Sequence, residues 1–161
     1  EGRGRSPEYV MVVTRVYRQA VDAWLNGEWS SEKLEQWNKD LSSVYNRGFW
    51  DGYYLGQKVG EWSKGYGSQA TTKKTFVGTV TNYFKNIGVA EIKIETGNLT
   101  VGDRIYIMGT TTGVYEDTLE EIRVDLKTTD KAIKGEFCSI PTKSLIRRGD
   151  KVYVIEDIIP E

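Results

Sequence analysis

Lys143, Arg147, Arg148 and Lys151 form the densest basic cluster of the sequence, with Pro141-Thr142 leading in. Closely spaced ammonium and guanidinium groups suit phosphate oxygens, the guanidinium fork in two-point contact. A solvated loop explains the same spacing, and at this point both readings stand. Lys73-Lys74 joins the cluster only if the chain closes on itself there. Tyr83, Phe84 and Tyr106 are stacking surfaces if exposed and core residues if not. The densest acidic cluster is Glu116-Asp117 with Glu120-Glu121. Two adjacent doublets near a turn do not send oxygens to one point from several directions, so a solvated face is expected rather than a cation site.

The missing residue types narrow the chemistry further. No His occurs in the 161 residues. That removes Ser-His and Cys-His nucleophiles, and the side chain best suited to moving protons near neutral pH. Cys138 is the single thiol. It leaves no intrachain disulfide and no Cys-only or Cys/His metal site within one chain. Flanked by Phe137 and Ile140, it reads as a small buried hydrophobe. Neither a phosphate-cradling Gly loop nor a dinucleotide fingerprint is present. Arg148-Gly149-Asp150 and Asn98-Leu99-Thr100 match an adhesion tripeptide and a glycosylation sequon, which matter only outside the cell and are read as chance. The sequence therefore predicts no catalytic residue, no metal and no cofactor of its own.

Lys plus Arg number 22 against 23 Asp plus Glu, a formal charge of −1, so no global field draws the chain to nucleic acid or anionic lipid. No apolar run approaches the roughly 18 residues of a membrane span, so no membrane partner is expected. A lone cysteine without a visible signal peptide points to the cytoplasm. The sequence opens at Glu1 rather than Met, which predicts an excised or processed chain, excision being preferred.

Two amphipathic helices are expected first. Ser6-Pro7-Glu8 reads as a helix start: a cap, a residue at home in the first turn, and a charge matched to the dipole. Tyr9, Val13, Val16/Tyr17, Ala20/Val21 and Trp24 then recur at three-four spacing, up to a stop at Asn26-Gly27. A second start lies at Ser30, with Trp29 and Leu34 at the spacing of a hydrophobic staple. Leu34, Trp37, Leu41 and Val44/Tyr45 carry its stripe. A short Gly27-Glu28 link would make the pair an antiparallel hairpin needing a partner surface. Asn46 to Gly56 then mixes Gly with aromatics, and Gly48, Gly52, Gly56 and Gly60 recur every four residues. It reads as a loop packed under the hairpin, or as a substrate-facing segment in which Arg47 holds an anionic or planar ligand. Residues 1–62 are thus one helical segment, and residues 63–73, poor in apolar periodicity, a linker.

From residue 74 to 161 the period changes to that of strands. Thr75–Phe84, Val89–Ile94, Arg104–Met108, Ile122–Leu126, a short strand spanning Ile133, Phe137 and Ile140, and Lys151–Ile155 make about six. The fold class is α+β: an N-terminal helical hairpin followed by a small closed antiparallel β-barrel, closure being the economical way to remove sheet edges. Val101-Gly102-Asp103-Arg104-Ile105-Tyr106-Ile107 returns as Arg148-Gly149-Asp150-Lys151-Val152-Tyr153-Val154. Gly supplies the turn and Asp bonds nearby backbone, so the repeat is structural rather than an acid/base pair.

These residues resemble a known family. Glu1-Gly2-Arg3 with Ser6-Pro7-Glu8-Tyr9-Val10, then Val13, Tyr17-Arg18 and Ala20, is similar to the end of the catalytic domain of the collagenase-like peptidase U-32 family. Asn46-Arg47-Gly48-Phe49, Gly52-Tyr53 and Gly56 resemble its Arg-Gly-Phe segment, departing from it at Trp50-Asp51. The strands with their two Gly-Asp turns resemble its C-terminal domain, itself similar to domain 2 of elongation factor Tu. The resemblance implies a larger N-terminal domain, a β/α barrel carrying signature cysteines, that is absent here. It implies peptidase or collagenase activity for the parent, or a part in tRNA or ribosomal RNA hydroxylation with an iron–sulfur cluster, none of whose ligands map onto this chain. The expected function is a non-catalytic accessory module that helps position substrate, RNA or protein, for that absent domain. Lys143, Arg147, Arg148 and Lys151 would contact phosphate, and Arg47 the missing active site. A stand-alone peptidase and a purely structural or dimerisation domain are the alternatives, and self-association of the exposed hairpin is expected.

Overall fold

The computed structural model describes residues 4–49 and 68–158. The chain divides into two compact units, residues 1–72 with 158–161 and residues 73–157. Residues 50–67, which hold most of the Gly-aromatic segment and the start of the expected linker, lie outside the described residues, as does Glu1-Gly2-Arg3.

In the first unit α1 runs Pro7–Leu25 and α2 runs Ser31–Ser43. Pro7 and Glu8 occupy the first turn of α1 as expected, yet the Ser6 side chain makes no capping bond. Ser30 does cap α2, its Oγ accepting the Lys33 N–H at 3.2 Å. Val12, Val16 and Ala23 of α1 are buried with Trp37 and Val44. Trp37 Nε1 donates to Gln19 Oε1 at 3.2 Å, which satisfies the indole N–H at the helix interface. Trp29 packs edge-on to Trp24 and Trp37, at 6.2 and 5.3 Å between ring centres. Val44 lies past the end of α2 rather than within it. Beyond it Asn46 holds the chain: its Nδ2 donates to the Val44 carbonyl at 3.0 Å and its Oδ1 accepts the Gly48 N–H at 3.1 Å.

The second unit is built of strands. They are β1 (Thr72–Phe84), β2 (Val89–Ile94), β3 (Asn98–Thr100), β4 (Arg104–Gly109), β5 (Gly113–Thr118), β6 (Ile122–Val124), β7 (Lys127–Thr129), β8 (Lys131–Ile133), β9 (Phe137–Pro141) and β10 (Lys151–Asp157). Eight form one sheet in the order β5-β4-β10-β1-β2-β9-β6-β7, and β3 pairs with β8 separately. β1–β2, β2–β9, β4–β5, β4–β10, β6–β7, β6–β9 and β3–β8 all pair antiparallel. The expected closed barrel of about six strands is corrected here: the sheet has two ends, and no pairing joins β5 to β7 among the described residues. Both end strands carry the chemistry that protects an open edge. β5 contains Glu116 and Asp117, and β7 is Lys127-Thr128-Thr129, short and polar.

Alternation decides which face is apolar. On β2 the buried Ala90, Ile92 and Ile94 alternate with Val89, Glu91 and Lys93. Ile105, Ile107, Ile122, Cys138, Ile140 and Val152 complete the same core, to which the β3–β8 pair adds Leu99 and Ala132. The Gly-Asp repeat forms two equivalent turns. Asp103 N–H donates to the Thr100 carbonyl at 3.0 Å while its Oδ2 accepts the Thr100 N–H at 2.8 Å. Asp150 N–H donates to the Arg147 carbonyl at 3.1 Å while its Oδ2 accepts the Arg147 N–H at 2.8 Å. Gly102 and Gly149 sit at φ +96° and +90°, the left-handed backbone a turn of this kind requires at its third position. The strands that follow pair with each other, Tyr106 directly opposite Tyr153, so the repeat is related across that pair by a local two-fold.

Candidate functional site

The strand unit distributes the basic cluster rather than gathering it. Arg147 and Arg148 are exposed together on the turn before β10. The Lys143 ammonium instead lies 3.0 Å from Asp117 Oδ1 and 3.9 Å from Glu120 Oε1. Lys151 donates to Thr79 Oγ1 at 2.9 Å and stands 5.5 Å from the centre of the Phe76 ring. Lys74 lies over the Tyr153 ring at 5.2 Å. Of the expected stacking residues, Tyr106 is buried, Tyr83 packs against the core, and Phe84 is exposed.

The acidic cluster is not a uniform solvated face. The Tyr115 hydroxyl donates to Asp117 Oδ2 and accepts the Lys143 N–H at 3.0 Å. Burial pushes the Tyr115 hydroxyl up to about 12, helped by its bond to Asp117. Burial also works against the Asp117 charge, but the bonds from Tyr115, Lys143 and the Thr118 N–H outweigh it and hold the carboxyl below its ordinary value. Asp117 in turn raises Lys143. The trio ties edge strand β5 to the segment after β9. Sequence reading missed it because Tyr115 carries no motif, and its partners lie 2 and 28 positions away.

Cys138 is 1% exposed, on β9 opposite Ile92 of β2. Burial, with Glu136 and Glu91 nearby, pushes its thiol up to about 12, so it is no nucleophile at neutral pH. Among the described residues no group of three or more carboxylates or thiols is arranged to hold a metal ion.

The helical unit presents a different site. A groove of about 350 Å³ is lined by Arg5, Tyr9, Tyr17, Tyr45, Arg47 and Phe49, with Val13 and Leu41 among its walls. Its polar end is Tyr45. Arg47 Nε donates to the Tyr45 hydroxyl at 2.8 Å, and the Arg5 guanidinium stands 3.8 Å over the ring. The Arg47 bond, aided by both guanidinium charges, holds the Tyr45 hydroxyl below its usual value. Arg47, expected from sequence, thus lies in a groove; Tyr45 was read only as part of an apolar stripe and Arg5 not at all, because residues 5 and 45 meet only once α1 and α2 pack.

Residues 1–64 match the family described as "Peptidase family U32". That stretch, about two fifths of the chain, resembles peptidase family U32. Two relatives named "Collagenase", from Porphyromonas gingivalis and its strain W83, are each 52% identical over 95% of this chain. The chain spans 42% and 37% of their lengths. An "Uncharacterized protease MJ0090" of Methanocaldococcus jannaschii is 35% identical over 99% of the chain, which spans 39% of it. The family match covers residues 1–64, within the helical unit, whereas the similarity to these relatives runs through the strands as well. Crystal structures of the C-terminal domain of a Geobacillus thermoleovorans putative U32 peptidase are similar over 48% and 49% of the chain and 96% and 90% of theirs. Their identities are 18% and 17% and their TM-scores 0.46 and 0.47. Among the described residues, no helix is long and apolar enough to cross a membrane.

Proposed function

We propose that this chain is the C-terminal accessory part of a longer U32 peptidase-like protein and positions its substrate without performing the chemistry. The sealed thiol carries the reading. The chain has one cysteine and no histidine, and Cys138 is closed into the strand core. The relatives it matches are more than twice its length, which leaves room for a catalytic domain on the same polypeptide. Because two of them are named collagenases, polypeptide is the substrate class proposed. The proposed contacts are Arg47 in its groove and the exposed Arg147 and Arg148. Lys143 and Lys151 already have partners within the chain and contribute less.

The experiment is fluorescence anisotropy of labelled gelatin and labelled tRNA against the chain at two salt concentrations. Saturable gelatin binding at micromolar protein is the expected result. Steeply salt-dependent tRNA binding that exceeds gelatin binding moves the substrate to RNA, with Arg147 and Arg148 as the phosphate contacts. Binding of neither removes the positioning role.

A further inference from the structure

We infer that the groove beside Arg47 is a carboxylate site, taking the free C-terminal carboxylate of a polypeptide whose last side chain is apolar or aromatic. The inference deepens the substrate-positioning reading and rests on it. The Tyr45 oxygen accepts from Arg47 Nε, so the proton of its own hydroxyl is left to donate elsewhere. Arg47 is exposed, and its terminal nitrogens extend beyond that bond. An O–H beside a guanidinium fork matches the two oxygens of one carboxylate. Arg5, over the face of the same ring, adds a second positive charge at this end.

The remainder of the groove is apolar and aromatic: Tyr9, Val13, Tyr17, Leu41 and Phe49. At about 350 Å³ it lies at the small end of ligand pockets, the size of a residue or two rather than a folded partner. One anionic end and one apolar body describe the last residue of a peptide. They do not describe a polyanion. Residues 4–49 hold six basic and six acidic side chains, so the helical unit has no net field to gather phosphates.

The test titrates the 161-residue chain, by NMR or calorimetry, with N-acetyl-Gly-Phe as free acid and as amide. Inorganic phosphate and an oligouridylate form the other arms. Saturable binding of the acid is expected, about tenfold or more tighter than the amide, as a charge-assisted bond pair implies. Arg47→Gln removes that preference and Tyr45→Phe reduces it, both with an unchanged circular dichroism spectrum. Equal binding of acid and amide, indifference to Arg47→Gln, or tighter binding of phosphate or oligouridylate overturns the inference. A chain that binds gelatin yet cannot tell acid from amide loses the groove assignment alone. A chain that prefers the acid but binds no gelatin loses the positioning role alone.

Discussion

The Asp150 carboxylate fills the space where a Cβ on Gly109 would stand: that atom would sit 1.8 Å from Asp150 Oδ1. Asp150 is 5% exposed and also accepts the Arg147 N–H at 2.8 Å and the Thr112 hydroxyl at 2.5 Å. One side chain therefore locks the turn before β10 to the end of β4. Gly109→Ala should destabilise by about 2–3 kcal/mol through overpacking. Asp150→Ala should cost about 2 kcal/mol through the orphaned N–H. In the double variant the clash disappears, so the cost falls well short of the sum. Urea unfolding of the cycle measures this, and additive costs would mean that Gly109 matters for another reason.

Stability should fall at both ends of the pH range, for opposite reasons, at Tyr115 and Asp117. The Asp117 carboxyl is depressed in the fold, so its contribution is present above the unfolded value of about 4 and is lost as pH falls through the folded one. The Tyr115 hydroxyl is raised to about 12, so its contribution is present below the unfolded value of about 10 and is lost as pH climbs from there. Tyr115→Phe should lessen the alkaline loss, of which the buried Cys138 thiol keeps a share, and make the acid loss shallower. Thermal melts of both proteins from pH 3 to 11 read this directly, and parallel profiles would rule the trio out.

Cys138 should report unfolding. With its thiol raised to about 12 and 1% exposed, a disulfide reagent should label it at pH 8 only as fast as the strand core opens. Labelling should accelerate through the urea transition, in step with circular dichroism. Full labelling within seconds in native buffer would contradict the buried placement.

The helical unit should self-associate. α1 buries Val12, Val16 and Ala23, yet Tyr17, Val21 and Trp24 form an adjacent stripe, with Trp24 72% exposed. The apolar arc of α1 is therefore wider than α2 covers, and such a stripe favours a partner. Light scattering should show mass rising with concentration, and Val21→Glu with Trp24→Glu should return it to that of one chain. A concentration-independent monomer would remove this expectation.

Much of this architecture was legible in the sequence. The helix starts at Pro7 and Ser30, the alternation of β2 and the Gly-Asp turns each rest on local chemistry, and local chemistry is what sequence displays. The misses are pairings set at a distance. β5 is Gly-Val-Tyr-Glu-Asp-Thr, an even mix of strand formers with Gly, Glu and Asp, and its pairing with β4 from Arg104↔Thr118 to Gly109↔Gly113 settles it as a strand. The run Ile122–Leu126, read as one strand, breaks at Asp125 and Leu126, both at positive φ, to form the β6–β7 turn. The single stripe read along α1 proved to be two faces, because a period locates apolar residues without saying how much of the arc a neighbour covers. At the candidate groove Arg47 stood out by type, whereas Arg5 and Tyr45 became partners only through helix packing.

The most direct measurement is turnover of fluorogenic gelatin by the purified chain, beside a full-length U32 relative. No cleavage above buffer is expected from the chain, with gelatin binding retained. Cleavage by the chain that a single substitution such as Lys143→Met or Asp117→Asn abolishes would contradict it.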